Sequence, residues 1–441
     1  MSMVVKNNMS AVSTLNTLNK NSSALASSLK KVSSGMKINS AADDASGYAI
    51  SERMRVQIRG LDQANQNTQN GTSMMKVAEG AVSSTVDILK TLKEKVINAA
   101  NDTNTDSDRA TIQKELDQSI DQINDNANVT YNGKYLVDGS HNSKVQTTTT
   151  AMTNESLFST TSGTTAFSAM KDRNGNSLNI NSLDTVTISF VKEGKTYSAT
   201  VQATDNLNNL IKNANSKIAG SNTKLNAFNT EIKTGSFIGK DIAGDTVHTA
   251  DEGNALTISA AGSGVANQIS GITISVTNTQ GQVQKSANAV LDNFSESVRA
   301  QNKSDDNAIN LQVGTKANQS IRVGLTDMRA EALGLQSSTG QTIQIGTQQQ
   351  ANAAVNVLDN AVQKALDQQT TIGSVQSRLS YTSSNLTTAS ENVQASESTI
   401  RDADMAKEMT EYTKNNVLLQ AAQSMLAQAN QSSSSVLSLL Q

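Results

Sequence analysis

The chain has 441 residues, a formal net charge of −3 at pH 7, and no proline, cysteine or tryptophan. Hydrophobic residues make up 36% of it and aromatic residues 3%, which is little for one compact core and favours thin layers of long helices in several domains. The lack of cysteine excludes disulfides, thiolate nucleophiles and cysteine-ligated zinc.

Charge and hydropathy also bear on partners and export. Acidic and basic residues are interspersed, and no stretch approaches the roughly 18 apolar residues of a membrane span, so we expect neither a nucleic acid nor a membrane as partner. The first residues, MSMVVKNNMSAVSTLNTL, lack the continuous apolar region of a cleaved signal peptide. We therefore expect export with an intact N-terminus.

The N-terminal arm has the spacing of a coiled-coil helix. Its apolar residues recur in a 3-4-3-4 rhythm, with Asn8 and Ser22 in two of the slots. The apolar members are Val4, Ala11, Leu15, Leu18, Leu25, Leu29 and Val32. The rhythm breaks at 35–40, which predicts a linker.

Two more helices are predicted before residue 130. The first runs from about residue 51 to residue 100, with an apolar seam that includes Met54, Leu61 and Val96. The second ends before Asn132-Gly133, a turn signal. Its apolar face consists of Ile112, Leu116, Ile120, Ile123 and Ala127.

The middle of the chain, about 145–300, has a different pattern. All six phenylalanines lie between Phe158 and Phe294, and side chains alternate with period two on both sides of 192–195, which predicts a β-hairpin. A short amphipathic helix is predicted from Leu207 to Ala214, with further strands at 255–259 and 272–276.

The C-terminal third is helical by its periodicity. Apolar residues recur every seven positions from Leu358 to Ile400, which predicts a helix of about 50 residues and about 75 Å. The segment from Met405 onward continues in a 4-3 rhythm and can pair with the N-terminal arm. Its apolar stripe is Leu418, Ala422, Met425, Ala429, Val436 and Leu439.

Several segments resemble bacterial flagellins. Residues 29–51 read LKKVSSGMKINSAADDASGYAIS, and residues 66–81 read QNTQNGTSMMKVAEGA. In the C-terminal half the similar segments are 311–314, 321–329, 400–406 and 426–431. The resemblance covers about 1–140 and 305–441, both ends of the chain.

This resemblance implies a fold and a set of domains. The fold class is mainly α, with long antiparallel helices in coiled-coil bundles formed by both ends, a small β-hairpin near 311–326 and an inserted β-rich outer domain. It implies a terminal coiled-coil domain for the inner filament tube (1–36 and 402–441), a helical bundle domain for the outer tube (37–144 and 303–401), and a surface-exposed variable domain (145–302).

The resemblance also implies a function and partners. The chain would polymerise with itself into the extracellular flagellar filament, meeting an export chaperone, a filament cap and hook-associated proteins. The assembly contacts would be Val4, Leu15, Leu18, Leu25, Leu29, Val32, Leu418, Ala422, Met425, Ala429, Val436 and Leu439. A hook–filament junction protein of the same architecture is the alternative.

The innate immune receptor that binds flagellin is a further implied partner. In the family its binding helix resembles Gln-Arg-Val-Arg-Glu-Leu, nine residues after Ala-Glu-Gly-Ala, which places Thr91, Leu92, Glu94 and Lys95 as candidate receptor-facing residues. Thr91 stands where the family has the first arginine, and Lys95 stands where it has leucine. Losing a guanidinium and placing a charge at an apolar contact should weaken recognition.

Catalytic and cofactor chemistry is not expected. His141 and His248 are each alone, and His248 has no His-Glu-x-x-His motif for zinc. The acids Asp43-Asp44 and Asp402-x-Asp404 suggest a hard-metal site, but their positions where helices begin favour helix capping. We predict no catalytic, metal or cofactor site and no enzyme activity, against the alternatives of an enzyme carried on a filament or a coiled-coil adhesin.

Overall fold

A computed structural model describes residues 8–218, 233–249 and 253–439, with the backbone alone for Lys233 and 433–439. The fold is mainly helical, as predicted. The α-helices of the described residues are α1 Met9–Ser34, α2 Ala45–Ala99, α3 Asp106–Ala127, α4 Leu207–Ile218, α5 Lys285–Leu291, α6 Ala330–Leu333, α7 Gln348–Arg401 and α8 Met405–Leu439. Because no proline interrupts them, α2 reaches 55 residues and α7 reaches 54.

The strands lie between α3 and α6. They are β1 Thr130–Tyr131, β2 Lys134–Tyr135, β3 Ala151–Asn154, β4 Thr185–Lys192, β5 Lys195–Gln202, β6 Lys233–Gly235, β7 Phe237–Lys240, β8 Thr246–His248, β9 Ala255–Ser259, β10 Ile269–Thr277, β11 Ser295–Val298, β12 Ile309–Gln312 and β13 Ser320–Val323. The strands form sheets ordered β10-β4-β5 and β11-β3-β9-β6, with three two-stranded ribbons, β1-β2, β7-β8 and β12-β13. The hairpin expected near 311–326 is thus confirmed as β12-β13.

Local sequence explains the two predicted turns. Glu193 and Gly194 join β4 to β5 with φ of 49° and 70°, and Asn132 and Gly133 join β1 to β2 with φ of 51° and 76°. Positive φ at both central residues is the requirement of the tight hairpin turn that Asn-Gly favours. At Gly194 a side chain is also excluded by space, since an added Cβ would lie 2.4 Å from the carbonyl oxygen of Gln341.

Contacts divide the chain into two compact units. The first comprises 1–68, 312–319 and 381–441, and the second comprises 69–311 and 320–380. These bounds differ from the three-domain division that the resemblance implies, and that division stays a prediction.

The first unit joins α1 to α8, and the start of α2 to the end of α7. Leu61 and Ala64 of α2 form a small buried cluster with Leu386 of α7. Hydrogen bonds connect the same helices, among them Ser383 Oγ to Asn65 Oδ1 at 2.7 Å. Packing and polar contacts together therefore hold these two helices side by side.

In the second unit, hydrogen bonds join the helices, and the sheets have an apolar core of their own. Arg109 of α3 donates from Nε to the Ala99 carbonyl at 2.9 Å, which satisfies an otherwise free group at the end of α2. Gln376 Nε2 of α7 donates to Glu79 Oε2 of α2 at 2.7 Å. The β-rich middle has a separate apolar cluster, which comprises 25 buried residues among those that the structure describes, including Phe167 and Phe190. The inserted β-rich region is thereby confirmed.

Candidate functional site: the terminal helix pair

The two ends of the chain form an antiparallel helix pair, α1 against α8. Asn8 Nδ2 donates to the Ala429 carbonyl at 3.1 Å, and Asn21 Nδ2 donates to the Leu418 carbonyl at 3.2 Å. Near the other end, Asn415 Nδ2 donates to Ser28 Oγ at 2.9 Å. The pairing partners run in opposite directions along the two helices, as the resemblance to flagellins implied.

The seam between the two helices mixes leucine, valine and tyrosine with small and polar side chains. The least exposed residues recur at 3-4 spacing, the geometry of knobs-into-holes packing. They are Ala11, Thr14, Leu18, Asn21, Leu25, Ser28 and Val32 in α1, and Glu408, Tyr412, Asn415, Leu419, Ala422, Leu426 and Ala429 in α8. Among them only Ser28 and Ala422 are buried, each 5% exposed. The pair alone therefore removes little apolar surface from water.

Large apolar side chains lie on the outside of the pair. We call this set the outer stripe. It consists of Met9, Val12, Leu15 and Leu29 of α1, and Met405, Met409, Val417, Leu418 and Met425 of α8. Leu15 remains 46% exposed and Met425 66% exposed. An isolated soluble chain rarely leaves so many large apolar side chains in water on two neighbouring helices, and such sets mark interaction surfaces.

The predicted assembly residues separate into two groups. Leu18, Leu25, Val32, Ala422 and Ala429 belong to the seam within the chain. A second group, Leu15, Leu29, Leu418 and Met425, belongs to the outer stripe. Val4 lies outside the described residues, and Val436 and Leu439 lie in the part of the last helix described by backbone alone. The single apolar stripe expected for each arm is thus two adjacent faces.

Contacts of Arg401, at the end of α7, connect the terminal pair to the rest of the first unit. Its side chain is 6% exposed, and Nη1 donates to Glu52 Oε1 at 2.7 Å. The guanidinium lies over the Tyr48 ring, 5.4 Å from its centroid, and the Arg401 carbonyl accepts from Lys37 N at 2.7 Å. The hydrogen bond from Arg401 lowers the pKa of Glu52. In the sequence, Arg401 lies within the flagellin-like segment 400–406 and had no predicted role; the signal that could have found it is a lone cation at the end of the apolar seam of α7.

The paired acids cap helices, which supports the capping interpretation over the metal-site one. Asp44 Oδ1 accepts from the backbone N–H of Ser46 and Gly47, both at 3.0 Å, at the start of α2. Asp404 Oδ1 likewise accepts from Ala406 N at 3.0 Å, at the start of α8. Asp43 holds the linker before α2 through its bonds to backbone N–H groups at 39 and 40, which lower the pKa of its carboxyl.

The two histidines have ordinary surroundings. His141 Nδ1 lies 3.2 Å from the Asn307 carbonyl oxygen, and the His248 ring meets Phe237 edge-on at 6.0 Å between centroids. Over the described ranges, no group of three or more histidine, aspartate or glutamate side chains is placed to hold a metal ion. Nor is any helix within those ranges long and apolar enough to cross a membrane.

The candidate receptor-facing residues lie on α2, on more than one of its faces. Thr91 and Glu94 are exposed. Lys95 Nζ pairs with Glu115 Oε1 of α3 at 3.0 Å. Leu92 is 1% exposed, so placing it among the receptor-facing residues was wrong: it belongs to the core of the helical bundle.

Family comparisons identify the class of protein. A model of the bacterial flagellin N-terminal helical region matches residues 5–142, and one of the C-terminal helical region matches residues 355–440. A flagellin of Clostridium tyrobutyricum is 32% identical, over 97% of this chain and 99% of its own length. A flagellin of Bacillus subtilis is 31% identical, over 99% of this chain and 100% of its own length. The chain belongs to the bacterial flagellin family.

Its function follows from that membership. The protein is a structural subunit of the bacterial flagellar filament, and its family forms the extracellular flagellar filament. A flagellar filament 33 kDa core protein of Treponema phagedenis, 28% identical over 99% of this chain and 100% of its own length, agrees with this. A hook-associated protein 3 structure from Legionella pneumophila covers 78% of this chain and 97% of its own at 16% identity, with a TM-score of 0.33. So low a score carries no argument for the junction alternative.

Proposed function

We propose that the outer stripe of α1 and α8 is the surface through which this subunit polymerises. The observation that carries the proposal is that the pair, in addition to the leucines of its seam, leaves the nine large apolar side chains of the outer stripe exposed. In a monomer this arrangement leaves apolar area in water. A neighbouring subunit that covers the stripe removes that area, and each fully covered leucine or methionine contributes about 1.5–3 kcal/mol.

The helical filament repeats this free-energy contribution at every subunit. Every subunit of a homopolymer meets its neighbours through the same surfaces, so one residue of the stripe acts at every contact. The seam has a different role: Leu18, Leu25 and Ala422 hold α1 against α8 within one chain. Because the lone pair buries so little, we expect it to open readily in the monomer and to become stable on assembly.

The sharpest test changes Leu418 and Met425 together to aspartate. Both are exposed in the monomer, so the variant should fold, whereas two carboxylates buried without partners at each contact should abolish filaments. The measurements are sedimentation of the purified protein after salt-induced assembly and circular dichroism of the monomer.

A matched control places the same charges elsewhere on the helix. Gln420 and Ala427 have the same seven-residue spacing and are also exposed, but they lie on the side of α8 opposite Leu418 and Met425, so changing both to aspartate should preserve filaments. Pelletable filaments from the Leu418→Asp, Met425→Asp variant would show that the assembly surface lies elsewhere.

Several finer roles rest on the family. We propose the division into terminal, bundle and variable domains (1–36 with 402–441, 37–144 with 303–401, and 145–302). We also propose export without a cleaved signal peptide, contact with an export chaperone, a filament cap and hook-associated proteins, and no enzyme activity. Support comes from the flagellin relatives, whose matches cover 97% and 99% of the chain.

Recognition by the innate immune receptor for flagellin should be weak. Thr91 is exposed but lacks a guanidinium, and Lys95 is held in an ion pair with Glu115. We expect the Thr91→Arg, Lys95→Leu variant to raise the response of reporter cells above that of the wild type. A wild-type response equal to that of a strongly stimulatory flagellin would overturn this proposal.

A further inference from the structure

The outer stripe has a second chemical property besides its apolar area. Four of its nine side chains are methionines, Met9 of α1 and Met405, Met409 and Met425 of α8. The thioether sulfur of methionine is oxidised to a sulfoxide under conditions that leave leucine and valine unchanged. The surface proposed for assembly therefore carries four oxidisable groups.

Exposure separates these four methionines from the others of the described chain. They are between 43% and 71% exposed. The other methionines of the described ranges are half-buried or buried, and they are Met36, Met54, Met74, Met75, Met152, Met170 and Met328. Met1 and Met3 lie outside those ranges. Within the described chain, every exposed methionine thus belongs to the outer stripe.

The composition concentrates oxidation on these side chains. The chain has no cysteine and no tryptophan, so methionine supplies all of its sulfur atoms. Without a thiolate, no faster-reacting sulfur competes for the oxidant. Because a sulfur must meet the oxidant to react, the exposed thioethers of the stripe should react before the buried ones.

The stripe methionines lie at both ends of the terminal helix pair. Asn8, the neighbour of Met9, donates to the Ala429 carbonyl, one helical turn after Met425, so these two methionines lie at the same end. The other two lie in the first two turns of α8, at the opposite end. Oxidation therefore changes the stripe along its whole length.

We propose that the four stripe methionines are a modification site through which a peroxide blocks polymerisation. This inference rests on the proposed role of the outer stripe in assembly. The sulfur lone pair attacks one oxygen of hydrogen peroxide, so that the S–O bond forms while the O–O bond breaks. The proton of the transferred oxygen passes to the leaving hydroxide, which departs as water. The thioether is oxidised by two electrons and the peroxide is reduced.

The added oxygen acts on assembly rather than on folding. In the monomer the four side chains lie in water, so a sulfoxide there stays hydrated and the helix pair is unaffected. In a contact that covers the stripe, the S=O group loses its water, and a polar group buried without a donor costs free energy. A homopolymer repeats this cost at every contact.

The first test oxidises the wild-type monomer with hydrogen peroxide and locates sulfoxides by peptide mass spectrometry. We expect the stripe methionines to gain oxygen before the buried ones. After salt-induced assembly, the oxidised protein should leave at least about tenfold more subunit in the supernatant than the untreated protein, with the same circular dichroism. The two methionine sulfoxide reductases, one for each sulfur epimer, with a thiol should restore sedimentation.

Leucine variants identify the methionines that are responsible. Methionine-to-leucine changes keep an apolar side chain of similar volume and remove the sulfur. A variant with leucine at all four stripe positions should therefore assemble like the wild type, both before and after peroxide. The matched control, Met36→Leu with Met54→Leu, changes two half-buried methionines outside the stripe and should lose assembly after peroxide as the wild type does.

Two results would overturn the proposal. One is an unchanged supernatant concentration for wild-type protein that carries sulfoxide at all four positions. The other is an equal loss of assembly in the four-leucine variant and the wild type after peroxide. The wild-type comparison decides the question even where the untreated four-leucine variant assembles poorly.

Failure of the assembly role itself gives a different result. The Leu418→Asp, Met425→Asp variant would then still form pelletable filaments. If that variant stays soluble while the fully oxidised wild type assembles normally, the stripe is the assembly surface and only its control by oxidation is disproved.

Discussion

In the β-rich middle, Phe167, Phe190 and Ile188 are fully buried in a core made by the region itself, whereas in the terminal helix pair Leu15 and Met425 remain in water. Both regions contain apolar residues in regular patterns. In the middle, the two larger sheets and α4 enclose those residues. Two helices by themselves can bury only the side chains of the seam between them. A region that buries its own apolar surface folds by itself, and one that cannot depends on other copies.

Removing the buried aromatic ring of Phe190 should produce the largest difference between the two regions, a loss of stability in the middle without a loss of assembly. Phe190→Ala should lower the free energy of unfolding of the middle by about 3–5 kcal/mol, since it leaves a cavity beside Tyr197 of β5 and Ile272 of β10. Filaments should still sediment, because the terminal pair is unchanged. Differential scanning calorimetry and sedimentation are the two measurements.

The control for this change is Leu183→Ala in the same region. Leu183 is 64% exposed, so its truncation should change stability by less than about 0.5 kcal/mol. If Phe190→Ala abolished assembly while its terminal helices stayed folded, the independence of the two regions would be disproved.

A smaller effect is expected from the buried carboxyl of Asp292. Burial raises its pKa from 3.8 to about 6, although Oδ1 accepts from Ile274 N at 3.0 Å. The folded chain thus holds this proton more tightly than the unfolded one, and stability decreases as pH rises from 3.8 through about 6. Asp292→Asn keeps the acceptor without the charge, so it should raise the free energy of unfolding by about 2–3 kcal/mol at pH 8 and hardly at pH 4.

Urea unfolding at the two pH values measures this difference. Asp245→Asn, at an exposed position of the same region, is the matched control and should have little effect at either pH. A gain for Asp292→Asn that is larger at pH 4 than at pH 8 would contradict the assigned cause.

The smallest effect on assembly should come from the largest deletion. Replacing 150–300 by a short Gly/Ser linker should still give filaments, because Val145 and Ser304 exchange backbone hydrogen bonds at 3.0 and 3.1 Å and so bring the cut ends together. The loss of bonds such as Asn356 Nδ2 to the Ile272 carbonyl, 2.8 Å, should lower only the melting temperature. Electron microscopy of the salt-treated protein tests this.

Deletion of 402–441 is the converse control. It removes α8 and should abolish filaments while the 51–400 core stays folded, as judged by circular dichroism. A 150–300 replacement that remained wholly monomeric with folded arms would mean that the middle takes part in assembly.

Local patterns in the sequence were sufficient for most elements. The seven-residue repeat from Leu358 to Ile400 predicted α7, and the period-two runs around Glu193-Gly194 predicted β4 and β5 with their turn. These features depend on residues within a few positions of each other, and backbone geometry converts such spacing directly into a helix or a hairpin. The flagellin resemblance rested on the same linear segments.

The tertiary structure alone decided which apolar face pairs within the chain. Leu15 and Leu18 lie on adjacent faces of α1, and their spacing suits either as the seam, so only the position of α8 shows that Leu15 faces outward. It also decided that Leu92 is buried and that Arg401 meets Glu52, 349 positions away. Two more features depended on the tertiary structure. They are the pairing of β3 with β9 and β11 and the hydrogen bond from Thr326 N to Gln368 Oε1. Such contacts join residues far apart in the chain, and no local spacing encodes which distant surfaces meet.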